Sequence, residues 1–370
     1  MVVGVPKEIK DNEKRVSLTP FGVSELVKNG HKVLVETQAG VGSGFYDDKY
    51  TDSGAKIINT PEEIFNLSDM IIKVKEPQPI EVKMIKENQI VFTFFHFAAD
   101  SILTNGIIES GCSAISYETV QNSDGSLPIL IPMSEVAGRM AVQNGAKCLE
   151  GNMGGKGKLL GGVPGVDAAT VTVLGGGIVG ANAAKLAAGL GAKVYILDID
   201  MSRLRYLDDV MPSNVQTMYS NHHNIENLLS YTDLLIGSVL VAGSKAPNLV
   251  SKSMIKEMSP GSVIVDVAVD QGGCVETCKP TTHKDPTFII DDIVHYCVSN
   301  MPGSVPYTST LALTNVTLPY CIKLANKGID GITSHKPLLS GLNIHRGKVC
   351  HEGVAHAFGL PYVEASSLLQ

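Results

Sequence analysis

The sequence has no surplus of basic charge: 30 Lys and Arg stand against 37 Asp and Glu, for a formal net charge of −7. The basic residues are dispersed, which argues against nucleic acid or an anionic membrane surface as a partner. No run of about 18 uninterrupted apolar residues occurs, the length a bilayer-spanning helix needs. The most apolar stretch, Ala181 to Leu190, is broken by Asn182 and Lys185. A paired-cysteine framework is also missing. The seven cysteines, Cys112, Cys148, Cys274, Cys278, Cys297, Cys321 and Cys350, are odd in number and scattered, as in a reduced cytoplasmic protein with buried thiols. Cys274, Cys278 and His283 match zinc spacing poorly, so no metal is expected. The opening MVVGVPKEIK places charges where a signal peptide needs its apolar core, which again points to the cytoplasm. Low-complexity tracts and internal repeats are absent.

What is present centres on Thr170 to Asp198, TVTVLGGGIVGANAAKLAAGLGAKVYILD. A β-branched run, Thr170 to Leu174, leads into Gly175, Gly177 and Gly180, the G-x-G-x-x-G spacing. An Ala/Leu-rich helical stretch follows from Ile178, then a second apolar run, Lys193 to Leu197, that closes on Asp198. Strand, glycine turn, helix, strand and acid form the complete context of a dinucleotide fingerprint. Gly175 permits the tight turn, Gly177 lets backbone approach a pyrophosphate, and Gly180 lets the helix sit close on the sheet. The helix N-terminus offers unpaired N–H groups and a positive dipole end. Asp198 stands where a carboxylate accepts hydrogen bonds from ribose hydroxyls. The expected cofactor is NAD.

At 370 residues the chain fits two domains. Short apolar strands alternate with helical segments before Ser134, the α/β pattern. These strands are Val2 to Val5, Lys32 to Glu36, Met70 to Val74, Ile90 to Phe94 and Ala114 to Tyr117. Thr19-Pro20 and Thr60-Pro61-Glu62-Glu63 are helix starts. Ser134 opens a helix of about fifteen residues, and the loop Gly154 to Gly165 after it reads as a flexible connector. Further strands are expected at Thr170, Lys193, Val215, Asp233 and Ser262, and a long helical pattern starts at Thr308. The expected architecture is two Rossmann-like doubly wound α/β domains. Residues 1–133 and 306–370 would build a substrate domain, with an NAD-binding domain, 134–305, inserted between them.

Four polar residues fall where strands end, the edge at which doubly wound folds place their chemistry. They are Arg15, Lys75, His96 and Asp270. An arginine suits carboxylate binding, a lysine polarises a carbonyl, and a histidine moves protons near neutrality. The set fits oxidation of a small 2-amino or 2-hydroxy acid. Each residue has a plainer alternative. Arg15 could be solvated surface, and Lys73 lies on the same strand face as Lys75. His96 could be a core histidine among Phe94, Phe95 and Phe97, and Asp266 competes with Asp270 from the same strand.

The segments VGVPKEIKDNEKRVSLTP, VKEPQ, FTFFHFAA, YETVQ, PMSEVAGRMA, GGVPGV, GGGIVG, VIVDVAVDQGG, VSNMPGSVP and TSTLALTN carry a resemblance over nearly the whole chain. They resemble L-alanine dehydrogenases, of the alanine dehydrogenase/pyridine nucleotide transhydrogenase family. The resemblance implies NAD-dependent, reversible oxidative deamination of L-alanine to pyruvate and ammonia, by a homo-oligomer, usually a hexamer. It implies that Arg15 holds the substrate carboxylate, Lys75 the carbonyl oxygen or amine, that His96 is the general acid/base, and that Asp270 assists at the carbinolamine stage. NAD would be lined by Ser134, Ile178, Val179, Asp198, Arg203, Ser220, Val239, Leu240, Val267, Ala268, Val269, Asp270, Val298, Ser299, Asn300 and Met301, besides the fingerprint glycines. Three positions depart from the family pattern: Gly176 for alanine, expected to be near neutral, Ala242 for proline, and Tyr307 for a basic residue. Two alternatives remain, a transhydrogenase-type NAD-binding subunit and a non-catalytic NAD-binding protein. The set Arg15, Lys75 and His96 opposes the first, and the same set with Asp270 opposes the second.

Overall fold

Continuous apolar runs, buried on both faces, are the material of parallel sheets, and here they build two of them. The structure, a computed structural model, describes residues 1–239 and 246–369; Leu240 and Ala242 therefore lie outside the described residues. Strands β1 (Val2–Val5), β2 (Lys32–Glu36), β3 (Lys56–Ile58), β4 (Met70–Ile72), β5 (Ile90–Thr93) and β6 (Ser113–Ser116) run parallel in the first sheet. The second sheet holds β7 (Thr170–Leu174), β8 (Lys193–Asp198), β9 (Val215–Tyr219), β10 (Leu234–Gly237), β11 (Val263–Asp266), β12 (Thr287–Ile290) and β13 (Ile293–Tyr296). The chain then returns to the first sheet, adding β14 (Leu342–His345) and β15 (Lys348–Val349) antiparallel beside β6. The contacts divide the chain into two compact units: Met1–Met133 with Val305–Gln370, and Ser134–Ser304.

The strand order of the first sheet is β15-β14-β6-β5-β4-β1-β2-β3. The chain winds outward from β1 to β3, crosses back, and winds the other way from β4. The reversal therefore lies between β1 and β4. In the second sheet, ordered β12-β13-β11-β10-β7-β8-β9, the same reversal lies between β7 and β10. Loops that leave neighbouring strands in opposite directions open a crevice at the strands' carboxyl ends, which is where doubly wound sheets bind ligands.

Several expected boundaries move, three of them for a physical reason the structure shows. β4 stops at Ile72 rather than Val74, because the Glu8 carboxylate takes the Val74 N–H at 2.6 Å and draws the backbone off the ladder. β11 stops at Asp266, whose carboxylate accepts the Ala268 N–H at 3.0 Å and turns the chain, leaving Asp270 in the short 3₁₀ turn Val269–Gln271. The helix expected from Ser134 begins at Leu130 and runs to Cys148. Pro132 sits in its first turn, where the missing N–H has no helical acceptor to lose, so Ser134 is inside the helix rather than its cap. Among the described residues no helix is long and apolar enough to cross a membrane.

Candidate functional site

In the first unit, charged groups gather where β1 and β4 end. Lys73 is fully buried, its ammonium 3.1 Å from Glu8 and 2.8 Å from Glu81. Burial opposes that charge, but the two carboxylates outweigh it and hold the Lys73 proton more tightly than in a free lysine. Glu8 also receives the N–H groups of Val74 and Lys75, and burial pushes its carboxyl above the usual range. Lys73 is thus a structural cation. Lys75, two residues on, is only half-buried, and among the described residues no carboxylate lies within ion-pair distance of its ammonium. Burial, and next to it the charges of Arg15 and Lys10, lower its proton affinity below that of an ordinary lysine. The geometry separates the two lysines that spacing alone could not.

Arg15 is not solvated surface. It is 2% exposed and fixed by Glu13: Nε donates to Oε1 at 2.7 Å, Nη2 to Oε2 at 2.5 Å, and Nη1 lies 3.2 Å from Met133 Sδ. Burial works against the Glu13 charge, yet the Arg15 hydrogen bonds and charge prevail and hold that carboxyl down at about 2. A cavity of about 80 Å³ borders this corner, lined in part by Lys7, Glu13, Lys14 and Arg15. A larger cavity, about 210 Å³, lies along β9 and contains none of the candidate residues.

His96 belongs to the adjoining loop. The Thr93 hydroxyl donates to the Lys75 carbonyl at 2.8 Å and Phe94 N–H to the Val74 carbonyl, so the segments after β4 and β5 run side by side. Phe95 and Phe97 stack on each other in the core at 4.4 Å between centroids. His96 itself is exposed, in left-handed backbone (φ 54°, ψ 40°), its ring parallel to Phe94 at 5.8 Å. That conformation costs a β-carbon residue energy, and it turns the imidazole out of the phenylalanine cluster. The core-histidine alternative fails.

In the second unit, the glycine turn follows β7 at the reversal with β10. Gly175 has φ 98° and a β-carbon there would meet Val239 Cγ2 at 2.9 Å. A β-carbon at Gly180 would sit 1.8 Å from the Gly175 carbonyl, so only glycine lets the helix Ile178–Gly189 come this close. Around a Gly177 β-carbon nothing lies within 4 Å: that side is open, at the helix N-terminus, where a pyrophosphate would approach. Asp198 is already engaged, Oδ2 accepting Gly176 N–H at 2.6 Å and Oδ1 accepting Asp200 N–H at 2.9 Å. Each oxygen keeps a second acceptor site for a ribose hydroxyl. Arg203 donates to the Gly176 carbonyl at 2.5 Å and lies over the Tyr206 ring; it braces the glycine turn. The residues here fit a dinucleotide. An alanine β-carbon at Gly176 would meet a Leu207 methyl, the far end of a side chain, at 2.8 Å.

Ser220 donates its N–H to the Asp198 carbonyl, placing it at the end of β9 next to that acid. Asp266 is fully buried and accepts N–H groups from Ala268, Cys274 and Val275, while Asp270 is exposed. Asp266 is the brace of the Val267–Asp270 loop, and Asp270 is the carboxylate that loop presents. Val298, Ser299, Asn300 and Met301 follow β13, with Asn300 in left-handed backbone (φ 57°). Ser134 and Val179 are half-buried and Ile178 exposed. Lys156 and Lys158, in the loop read as a flexible connector, both pair with Asp233 and pin that loop. Among the described residues no group of acidic, histidine and cysteine side chains could hold a metal.

Against known proteins, two domain patterns match, described as "Alanine dehydrogenase/PNT, N-terminal domain" over residues 4–137 and "Alanine dehydrogenase/PNT, C-terminal domain" over residues 141–352. The chain belongs to the alanine dehydrogenase/PNT family. The alanine dehydrogenase of Methanococcus maripaludis is 53% identical over 371 residues, covering 100% of each chain. A solved L-alanine dehydrogenase superimposes with a TM-score of 0.95 at 50% identity, covering 97% of this chain and 99% of that one. The transhydrogenase of Sinorhizobium meliloti superimposes at 0.81 with 22% identity, covering 95% and 99%, and shares the fold.

Within this alanine dehydrogenase/PNT chain, the structure adds acids that spacing did not single out. Glu13 fixes Arg15, Glu8 and Glu81 neutralise Lys73, and Glu118 accepts the N–H groups of Phe95 and His96. All four stand inside or beside the segments that carry the resemblance, but no periodicity says which backbone N–H a distant carboxylate will meet. Tyr307, in place of a basic residue, stacks on Phe45 at 5.9 Å.

Proposed function

We propose that the protein is an NAD-dependent L-alanine dehydrogenase, catalysing reversible oxidative deamination of L-alanine to pyruvate and ammonia. The observation that carries the reading is the corner at the β1/β4 reversal, where Arg15 is pinned by Glu13 beside Lys75, a lysine with no carboxylate at ion-pair distance among the described residues. Such a pair suits a small substrate with a carboxylate next to a carbonyl or amine. The first unit would hold the amino acid and the second the dinucleotide, at Gly175 to Gly180, Asp198 and the loops after β10, β11 and β13.

NAD, held at Gly175 to Gly180 and Asp198, would supply the hydride acceptor for the substrate Cα, whose deprotonated amine becomes an iminium. Arg15 keeps the carboxylate in place by charge and hydrogen bonding. Asp270 supplies a negative charge to favour the cationic iminium. His96 accepts a proton from the water that adds to the iminium carbon, giving the carbinolamine. It then returns the proton to the nitrogen, which departs as ammonia while the carbinolamine hydroxyl releases its proton to solvent. Lys75 polarises the oxygen that becomes the pyruvate carbonyl. Through resemblance we extend the reading to a cytoplasmic homohexamer.

Incubation of the purified protein with NAD and L-alanine should yield NADH. L-serine and L-valine should give much less, and D-alanine none; pyruvate with ammonium should consume NADH. Turnover of lactate without alanine would overturn the proposal, and light scattering would test the hexamer.

A further inference from the structure

We infer that Glu118 is a positioning residue for His96, holding the proton-transferring ring at its working angle through the backbone. The inference rests on the reading of His96 given above. Glu118 lies in the 3₁₀ turn Tyr117–Thr119, which leaves β6 on the strand paired with β5, Ser116 opposite Thr93. Its Oε1 accepts the His96 N–H at 2.6 Å and its Oε2 the Phe95 N–H at 3.3 Å. One carboxylate thus spans two successive amides, at the residue whose backbone is left-handed and at the one before it. Both amides stand past the end of β5, where no ladder partner receives them. An acceptor that bridges them compensates a conformation that a histidine adopts at a cost, and a charged acceptor binds amides more strongly than a neutral one.

The same turn fixes the ring from the side. Tyr117, next to Glu118 in sequence, is fully buried and meets Phe94 edge-on at 5.1 Å, and Phe94 in turn lies parallel to the His96 imidazole. Backbone and ring are therefore set from one neighbouring strand end. Glu118 is given no contact with substrate. Without its carboxylate, Phe95 and His96 can relax toward ordinary backbone, which would swing the imidazole back toward the phenylalanine cluster.

The test is a double-mutant cycle with Glu118→Gln and His96→Ala, alongside amide exchange of the parent. Glutamine keeps the length but offers one acceptor oxygen, with an NH₂ group turned at the other amide. Glu118→Gln should lower kcat for L-alanine by about 10- to 100-fold, as misplacement of a reacting group does. The KM for L-alanine and the Kd for NAD should stay near parental. In a His96→Ala background the same change should alter kcat by less than about two-fold, because residues acting as a unit are not additive. Losses that multiply, or a parental kcat in Glu118→Gln, would overturn the inference, as would a fall in KM alone. Amide exchange needs no variant: the Phe95 and His96 amides should exchange slowly in the parent protein, and exchange at the rate of an open loop would remove the clamp itself. A parent protein that gives no NADH from L-alanine would instead fail the function proposed above, while the exchange result still decides whether the clamp exists.

Discussion

His96 is held in left-handed backbone on the edge of an aromatic cluster, with its ring exposed. Replacement by alanine should cut kcat by about 10² to 10⁴, the size of a general acid/base contribution. Little packing is lost, so circular dichroism and NAD titration should match the parent; a near-parental kcat in that folded variant would remove His96 from the proton path. Lys75 gives a second test. Burial and the nearby Arg15 and Lys10 charges depress its proton affinity, so it holds its charge below that lowered value and loses it above. The KM for pyruvate, an anion, should therefore rise as the pH climbs, and the rise should begin below the range where a free lysine titrates. Lys75→Arg should abolish that limb, since a guanidinium stays charged; an unchanged limb in the arginine variant would assign it to another group. Residue types and strand ends made Arg15, Lys75, His96 and Asp270 legible as candidates in the sequence. The choice of Lys75 over Lys73 and Asp270 over Asp266 was not, because it depends on carboxylates and amides distant in sequence: Glu81 for Lys73, and the amides of Cys274 and Val275 for Asp266.

The glycine turn and its helix were the most legible element, because each glycine answers a separate steric demand. That separation can be measured. Gly180→Ala would drive a β-carbon into the Gly175 carbonyl and within 2.7 Å of Ser238 Oγ. It should destabilise the protein by about 1–3 kcal/mol, as overpacking does, visible as a lowered Tm. Gly177→Ala places its β-carbon in open space and in ordinary backbone (φ −64°). It should leave Tm near parental and weaken NAD in calorimetry, because the methyl occupies the side offered to the pyrophosphate. Equal Tm losses in the two variants would contradict that division. Element ends were less legible. The helix beginning at Leu130 was hidden by Ser134, which reads as a cap although Pro132 already sits in the first turn. β4 and β11 end early through side chains that capture backbone N–H groups, Glu8 at Val74 and Asp266 at Ala268. Hydrophobic pattern cannot report such competition.

Taken whole, the chain repeats one device. Each unit winds a mainly parallel sheet outward, reverses, and winds the other way, and each carries part of its candidate site at the reversal. The second unit's reversal carries an open glycine turn and an acid that braces it; the first carries a pinned arginine and a lysine with, among the described residues, no carboxylate at ion-pair distance. A whole-length resemblance made this pairing legible from the sequence, whereas the strand orders that place both sites at reversals emerged only from the folded sheets. At the centre of the proposed reaction, hydride passes from the Cα of alanine to NAD. Turnover of L-alanine carrying deuterium at Cα tests it most directly. The protein should yield NADH with one deuterium at the nicotinamide C4, with pyruvate and ammonium in equal amounts; deuterium-free NADH, or NADH formed without ammonium, would contradict the account.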